Sequence, residues 1–158
     1  SAQSLLYIGY HTHLGFLIRF DYDYLETIVT LKQVVDGAPE LLAHLTKRGP
    51  VHVLSNGFAN LQSRKLKSGG IDKYFTKLIL SDDIDVTKPD RRLFDYALEQ
   101  VGGTPETTVM IGDNYDADIL GANNAGWHTI FFNRKNVVLE TNVADLTVTR
   151  LTDIIAWL

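Results

Sequence analysis

Apolar positions along this chain follow two periods. From Leu17, the residues Leu17, Phe20, Tyr24, Ile28 and Leu31 fall at intervals of three and four. That spacing predicts a helix with one buried face, on which Asp21 and Asp23 point away from the stripe. After Gly37 the pattern alternates between helical stripes and short continuous apolar runs. Pro39 opens a helix with Leu41, Leu42 and Leu45 on its buried face, and Gly49 ends it. The run Val51-His52-Val53-Leu54 reads as a buried strand ending in Ser55-Asn56-Gly57-Phe58. A helix is predicted over 59–67, closed by Gly69-Gly70. Lys77-Leu78-Ile79-Leu80 is the next strand, running through Ser81-Asp82-Asp83 to Thr87-Lys88-Pro89-Asp90. Asp90 is placed to cap a helix carrying Leu93, Phe94, Ala97, Leu98 and Val101.

The chain then reaches its most charged turn. Val109-Met110-Ile111 reads as a buried strand, Gly112 allows a sharp turn, and Asp113, Asp116 and Asp118 follow before a helix beginning at Ile119. His128 to Phe132 is another strand, 133–146 reads as irregular, and Leu151, Ile154, Ile155 and Leu158 mark a last helix. Strand and helix alternate from Pro39 to Phe132. The expected fold is α/β: a Rossmann-like parallel sheet with helices on both faces and right-handed crossovers.

Composition narrows the chemistry. The chain has 158 residues, 45% hydrophobic and 22% charged, which fits one globular domain with a real core. A net charge of −4 and a pI near 5.7 speak against nucleic acid or an anionic membrane as partner. No cysteine is present, which excludes disulfides and thiolate chemistry. The apolar runs are too short to span a bilayer, and no leader pattern is visible at residue 1, so a cytoplasmic protein is expected. His11 and His13 alternate as a metal-binding pair would, but no third ligand follows, and surface histidines are the preferred reading.

Three strand ends carry polar groups suited to a phosphate. Ser55, with the backbone N–H groups near Asn56 and Gly57, can bind phosphate oxygens at a helix N-terminus. Lys88 can bring positive charge to a phosphoryl group. Asp113, with Asp118 in support, can hold Mg²⁺, because carboxylates crowded at a sheet edge need a cation. Each group alone has a plain structural use as a cap, a surface lysine or an acidic turn.

Together, residues 37–158 resemble the haloacid dehalogenase (HAD) superfamily of phosphohydrolases. Val53-Leu54-Ser55-Asn56-Gly57-Phe58 looks like its second motif, Lys88-Pro89-Asp90 with Phe94 and Ala97-Leu98 like its third, and Gly112-Asp113 through Asp118 with Ala125-Gly126 like its fourth. Gln62-Ser63-Arg64-Lys65 and Lys73-Tyr74-Phe75 look similar to the cap-bearing pyrimidine and noncanonical-nucleotide 5′-nucleotidases. The resemblance implies Mg²⁺-dependent hydrolysis of a small phosphorylated metabolite through an aspartyl-phosphate. The family's first motif, Asp-x-Asp-x-Thr after an apolar strand, has one candidate here: Asp21 and Asp23 after Gly15 to Phe20, with Leu25 where the family has threonine. Asp21 lies 34 positions before Ser55, a spacing that suits a capless enzyme.

Residues 1–36 therefore have two readings. The preferred one is a cap remnant, followed by a core over 37–158. The other is a displaced nucleophile motif. Under the first, the alternative function is a truncated or degenerate core that binds Mg²⁺ or phosphate without catalysis. The central strand of the sheet must in either case come from somewhere, because each orphaned backbone group costs about 1–3 kcal/mol. The candidates are residues 4–10, residues 15–20, a second copy of the chain in a homo-oligomer, or a piece absent from this sequence.

Overall fold

The computed structural model describes residues 36–56 and 66–158, together with the backbone of 15–18. Six strands form one sheet: β1 (Gly15–Ile18), β2 (Val51–Ser55), β3 (Lys77–Leu80), β4 (Thr108–Gly112), β5 (His128–Phe132) and β6 (Leu146–Val148). Their order is β3-β2-β1-β4-β5-β6, and every pair is parallel. The helices are α1 (Ala38–Thr46), α2 (Arg91–Val101) and the short α3 (Gly121–Asn124). A π-helical turn over Tyr115–Leu120 leads into α3, and a 3₁₀ helix over Leu151–Trp157 closes the chain.

β1 fills the central slot. Phe16 pairs in register with Val51 on one side and Val109 on the other, and Ile18 with Val53 and Ile111. The helix predicted from Leu17 therefore does not include Leu17 and Ile18. The backbone groups of β2 and β4 facing each other need partners, and this requirement outweighs the helical spacing of one stripe. The remainder of that stripe, and the choice between cap remnant and nucleophile motif that depends on it, lie outside the described residues.

Strand alternation sends side chains to two separate cores. Val51 and Val53 of β2, Val109 and Ile111 of β4 and Ile130 of β5 pack with α1 and with Leu151 and Ile154 of the closing helix. Leu54 and Met110 face the other way, against Leu93, Phe94 and Ala97 of α2 and Ala122 of α3. Layers on both faces explain why these strands read as continuous apolar runs. The second layer is tight: a Cβ on Gly121 would stand 2.6 Å from the Phe94 ring. That ring meets Trp127 edge-on at 5.2 Å.

Among the described residues most predicted elements stand within a residue or two of their expected ends, and most of the helix expected over 59–67 lies outside those residues. β6 was not predicted, and its first residue, Leu146, fell in the stretch expected to be irregular. It is three residues long on the sheet margin, too short to show a period. The closing helix is 3₁₀, and the interval of three between Leu151 and Ile154 lines both up on the sheet. Among the described residues no helix is long and apolar enough to cross a membrane.

His52, in the middle of β2, is 3% exposed, and neither ring nitrogen has a hydrogen-bond partner. Burial pushes its pKa below the ordinary 6.5, and the positive charge of Lys77, its register partner on β3, adds to the effect. The folded pKa is thus below the unfolded one, so the unfolded chain takes up the extra proton. Stability from the neutral ring is complete above pH 6.5 and is lost as the pH falls below it. We expect the unfolding free energy to drop on acidification from pH 7 to 5 with a His52 contribution of up to about 1.4 kcal/mol per pH unit. Urea titrations of the parent and His52→Leu check this: the parent should show the steeper slope, and parallel profiles would refute the assignment.

Candidate active site

The connections after β1 and after β4 run in opposite directions along the sheet, so the crevice outside their carboxyl ends is the topological switch point, where α/β sheets bind ligands. Ser55 ends β2 in a buried position, Asp113 follows β4, and the turn carrying Lys88 reaches the same edge from β3. Gly57, Asp21 and Asp23 lie outside the described residues.

Lys88 is the centre of the arrangement. Its ammonium donates to the carbonyl of Leu54 at 3.1 Å and to Asp118 Oδ1 at 3.0 Å. Both side chains of this ion pair are 0% exposed. The backbone N–H of Lys88 donates to Asn56 Oδ1 at 3.0 Å, so Asn56 positions the lysine turn through its side chain. The Lys88-Pro89 peptide is cis, and α2 begins directly after it. Asp90 caps that helix by accepting the N–H of Arg92, and hydrogen bonds from the Arg92 side chain and backbone lower the Asp90 carboxyl to about 2. The cap fixes where α2 starts, and so where the lysine turn ends.

Asp118 was expected to support a metal. The structure gives it a defined structural task first: Oδ1 accepts from Lys88 and Oδ2 accepts the N–H of Asn114 at 3.1 Å. Its side chain lies on the backbone of Gly112, where a Cβ would come within 2.5 Å of Oδ2. Glycine is needed there for close approach rather than for an unusual φ. The π-helical turn, started by the Asn114 side chain accepting the N–H of Ala117, swings Asp118 back under the strand end.

Asp113 directly follows β4, with its side chain 7% exposed. Its Oδ2 is 3.5 Å from Nε of Arg134, a residue that sequence reasoning missed. Arg134 follows β5 by two positions. The signal was available, since residues just past any strand of a parallel sheet share its carboxyl edge. As a hard oxygen donor at this edge, Asp113 suits Mg²⁺, which takes one or two carboxylates and completes its shell with water and substrate phosphate. Among the described residues no three His, Asp or Glu side chains gather into a cage. Mg²⁺ does not require one.

The fold and site define a doubly wound α/β domain with a buried lysine–carboxylate pair and an acidic strand end at its switch point. The chain belongs to the haloacid dehalogenase-like hydrolase family, whose model matches residues 6–126. It is 40% identical over 98 residues to the pyrimidine 5′-nucleotidase YjjG of Escherichia coli, covering 61% of this chain and 44% of that protein. It is 39% identical over 101 residues to a glyceraldehyde 3-phosphate phosphatase of Methanothermobacter thermautotrophicus, covering 61% and 45%. The chain thus spans under half the length of these relatives. A magnesium-bound structure of Bacillus subtilis YfnB superposes with a TM-score of 0.72 at 26% identity, over 83% of this chain and 57% of that one.

The Lys88–Asp118 pair has a measurable consequence. Removing one partner takes from the other buried charge the counter-charge it faces, so Asp118→Ala should cost about 3–5 kcal/mol of unfolding free energy. The double variant Lys88→Met, Asp118→Leu should recover most of that loss. A loss under about 1 kcal/mol for Asp118→Ala in a urea titration would show that the pair is not buried in solution.

Proposed function

We propose that this chain carries the core of a Mg²⁺-dependent phosphomonoester hydrolase acting on a small phosphorylated metabolite, with nucleoside monophosphates as the first class to try. The observation that carries the reading is the Lys88 ammonium, locked between the Leu54 carbonyl and Asp118 at a strand edge shared with Ser55 and Asp113. A fixed cation at a phosphoryl site stabilises charge as it develops, and its position requires no reorganisation during reaction. Ser55, Asn56 and Gly57 are the phosphate-binding residues of this reading. Asp113, with Asp118 behind it, is the side that would hold Mg²⁺, which when bound neutralises phosphate oxygens and makes phosphorus more electrophilic. The names of YjjG and of the archaeal phosphatase support phosphate-ester chemistry.

We assign the nucleophile to Asp21. It follows β1 by three positions in the chain, and β1 lies beside β4, the strand that leads to Asp113. Its carboxylate oxygen would form the bond to phosphorus while the P–O bond to the leaving alkoxide breaks. Asp23 would give that alkoxide its proton. Water, deprotonated by Asp23, would then attack the aspartyl-phosphate, releasing phosphate and restoring both carboxyl groups.

Phosphate release from p-nitrophenyl phosphate and from nucleoside monophosphates should require Mg²⁺ and stop with chelator. Asp21→Asn should lower kcat by roughly 10³-fold or more, and Lys88→Met by roughly 10²-fold or more, with circular dichroism confirming that each variant folds. Full activity in Asp21→Asn would remove it as nucleophile. No phosphate release, with Mg²⁺ or phosphate still bound, would establish the second reading, a core that binds without turnover.

A further inference from the structure

Asp113 already has a cation beside it. The turn after β5 is built to deliver Arg134: Asn133 Nδ2 donates to the Val137 carbonyl and its Oδ1 accepts the Val137 N–H, both at 2.9 Å. Asn136 closes the turn in the left-handed region with φ of 52°, and its N–H donates to the Asn133 carbonyl at 3.1 Å. The N–H of Asn133 donates to the Val148 carbonyl at 2.7 Å, tying the turn to β6. Arg134 is held, with a side chain 26% exposed, and its Nε stands 3.5 Å from Asp113 Oδ2. That is longer than the roughly 2.7–2.9 Å of a charge-assisted hydrogen bond. A cavity of about 50 Å³ lies at this pair, lined by Asp113, Asn133, Arg134 and Lys135 among others. Roughly 10–15 Å³ suffices for one water, so this space admits a hydrated cation's waters.

From this geometry we propose that Arg134 is a positioning residue that competes with Mg²⁺ for Asp113 and so couples metal binding to phosphate binding. The inference rests on the metal role given to Asp113 above. The attraction between Arg134 and Asp113 must be weakened before a divalent cation takes the carboxylate, and the arginine repels that cation at close range. Arg134 therefore weakens the binding of Mg²⁺ alone. A phosphate restores the balance, because its oxygens ligate the metal and its negative charge occupies the guanidinium. Lys135, exposed on the same turn, and Lys88, buried at the same sheet edge, add positive charge.

The test is calorimetric titration of the full chain with Mg²⁺, alone and with saturating inorganic phosphate, supported by the Mg²⁺-dependent shift of the melting temperature. Arg134→Met should tighten Mg²⁺ binding about tenfold or more without phosphate at low ionic strength. It should also shrink the enhancement that phosphate gives, and Arg134→Lys should fall between Met and the parent. Unchanged or weaker Mg²⁺ binding in Arg134→Met would overturn the proposal. Asp113→Asn separates the two levels of the argument. If it binds Mg²⁺ as the parent does, the metal site itself is misassigned. If it loses binding while Arg134→Met leaves the affinity unchanged, only the competition fails.

Discussion

A lysine and an aspartate with no solvent exposure form the interaction on which the rest of this site depends. Two charges withdrawn from water cost several kcal/mol each, recovered only when geometry and hydrogen bonds are good. The surrounding backbone supplies them: the Leu54 carbonyl for Lys88, the Asn114 N–H for Asp118, and the bare Cα of Gly112 against which Asp118 lies. Meeting those needs fixes the end of β2, the turn before α2 and the π-helical turn after β4 relative to one another. Three stretches separated in sequence become one rigid edge. An apolar pair of similar volume would serve stability nearly as well. A buried charge at this place therefore points to chemistry rather than to holding the fold together.

The same edge explains what the sequence made legible. β2, β4 and β5 are apolar runs closed by Ser-Asn-Gly, Gly-Asp or Asn, and burial on both faces left no polar alternation to confuse them. α2 was bounded by an aspartate cap and by Gly102, which adopts φ of 67° after its last turn. β1 was obscured because Leu17 also opens a helical stripe, and nothing local says that two neighbouring strands need a partner there. β6 carries too few residues for a period to appear.

Among candidate site residues, the place of Ser55, Asn56, Lys88 and Asp113 at the sheet edge could be read because each stands at or just past a strand end or before a proline. Less visible was what each touches. Asn56 was read for its backbone, yet its side chain holds the lysine turn. Asp118 was read for a metal, and its oxygens are directed to Lys88 and Asn114. Arg134 was not read at all, because its turn follows a strand with no acidic or glycine signature. Spacing along a chain reports which edge a residue reaches, whereas pairing at that edge is decided by the turns that carry it there.

The charge balance of the site bears on what can bind it. Lys88 and Arg134 are positive, Asp113 and Asp118 negative, and among the described residues Lys88 pairs with Asp118 and Arg134 with Asp113. The four groups sum to zero with three of them largely out of water. A divalent cation arriving alone would add two positive charges to a buried edge, and a phosphate dianion alone two negative ones. Either would be penalised by a low-dielectric surrounding. Arriving together, metal and phosphate add nothing to the sum, and each supplies the counter-charge that the other lacks. These four groups, taken by themselves, would thus favour a divalent cation and a phosphate as a pair. That preference follows from the pairing of the four side chains and needs no motion of the sheet that holds them.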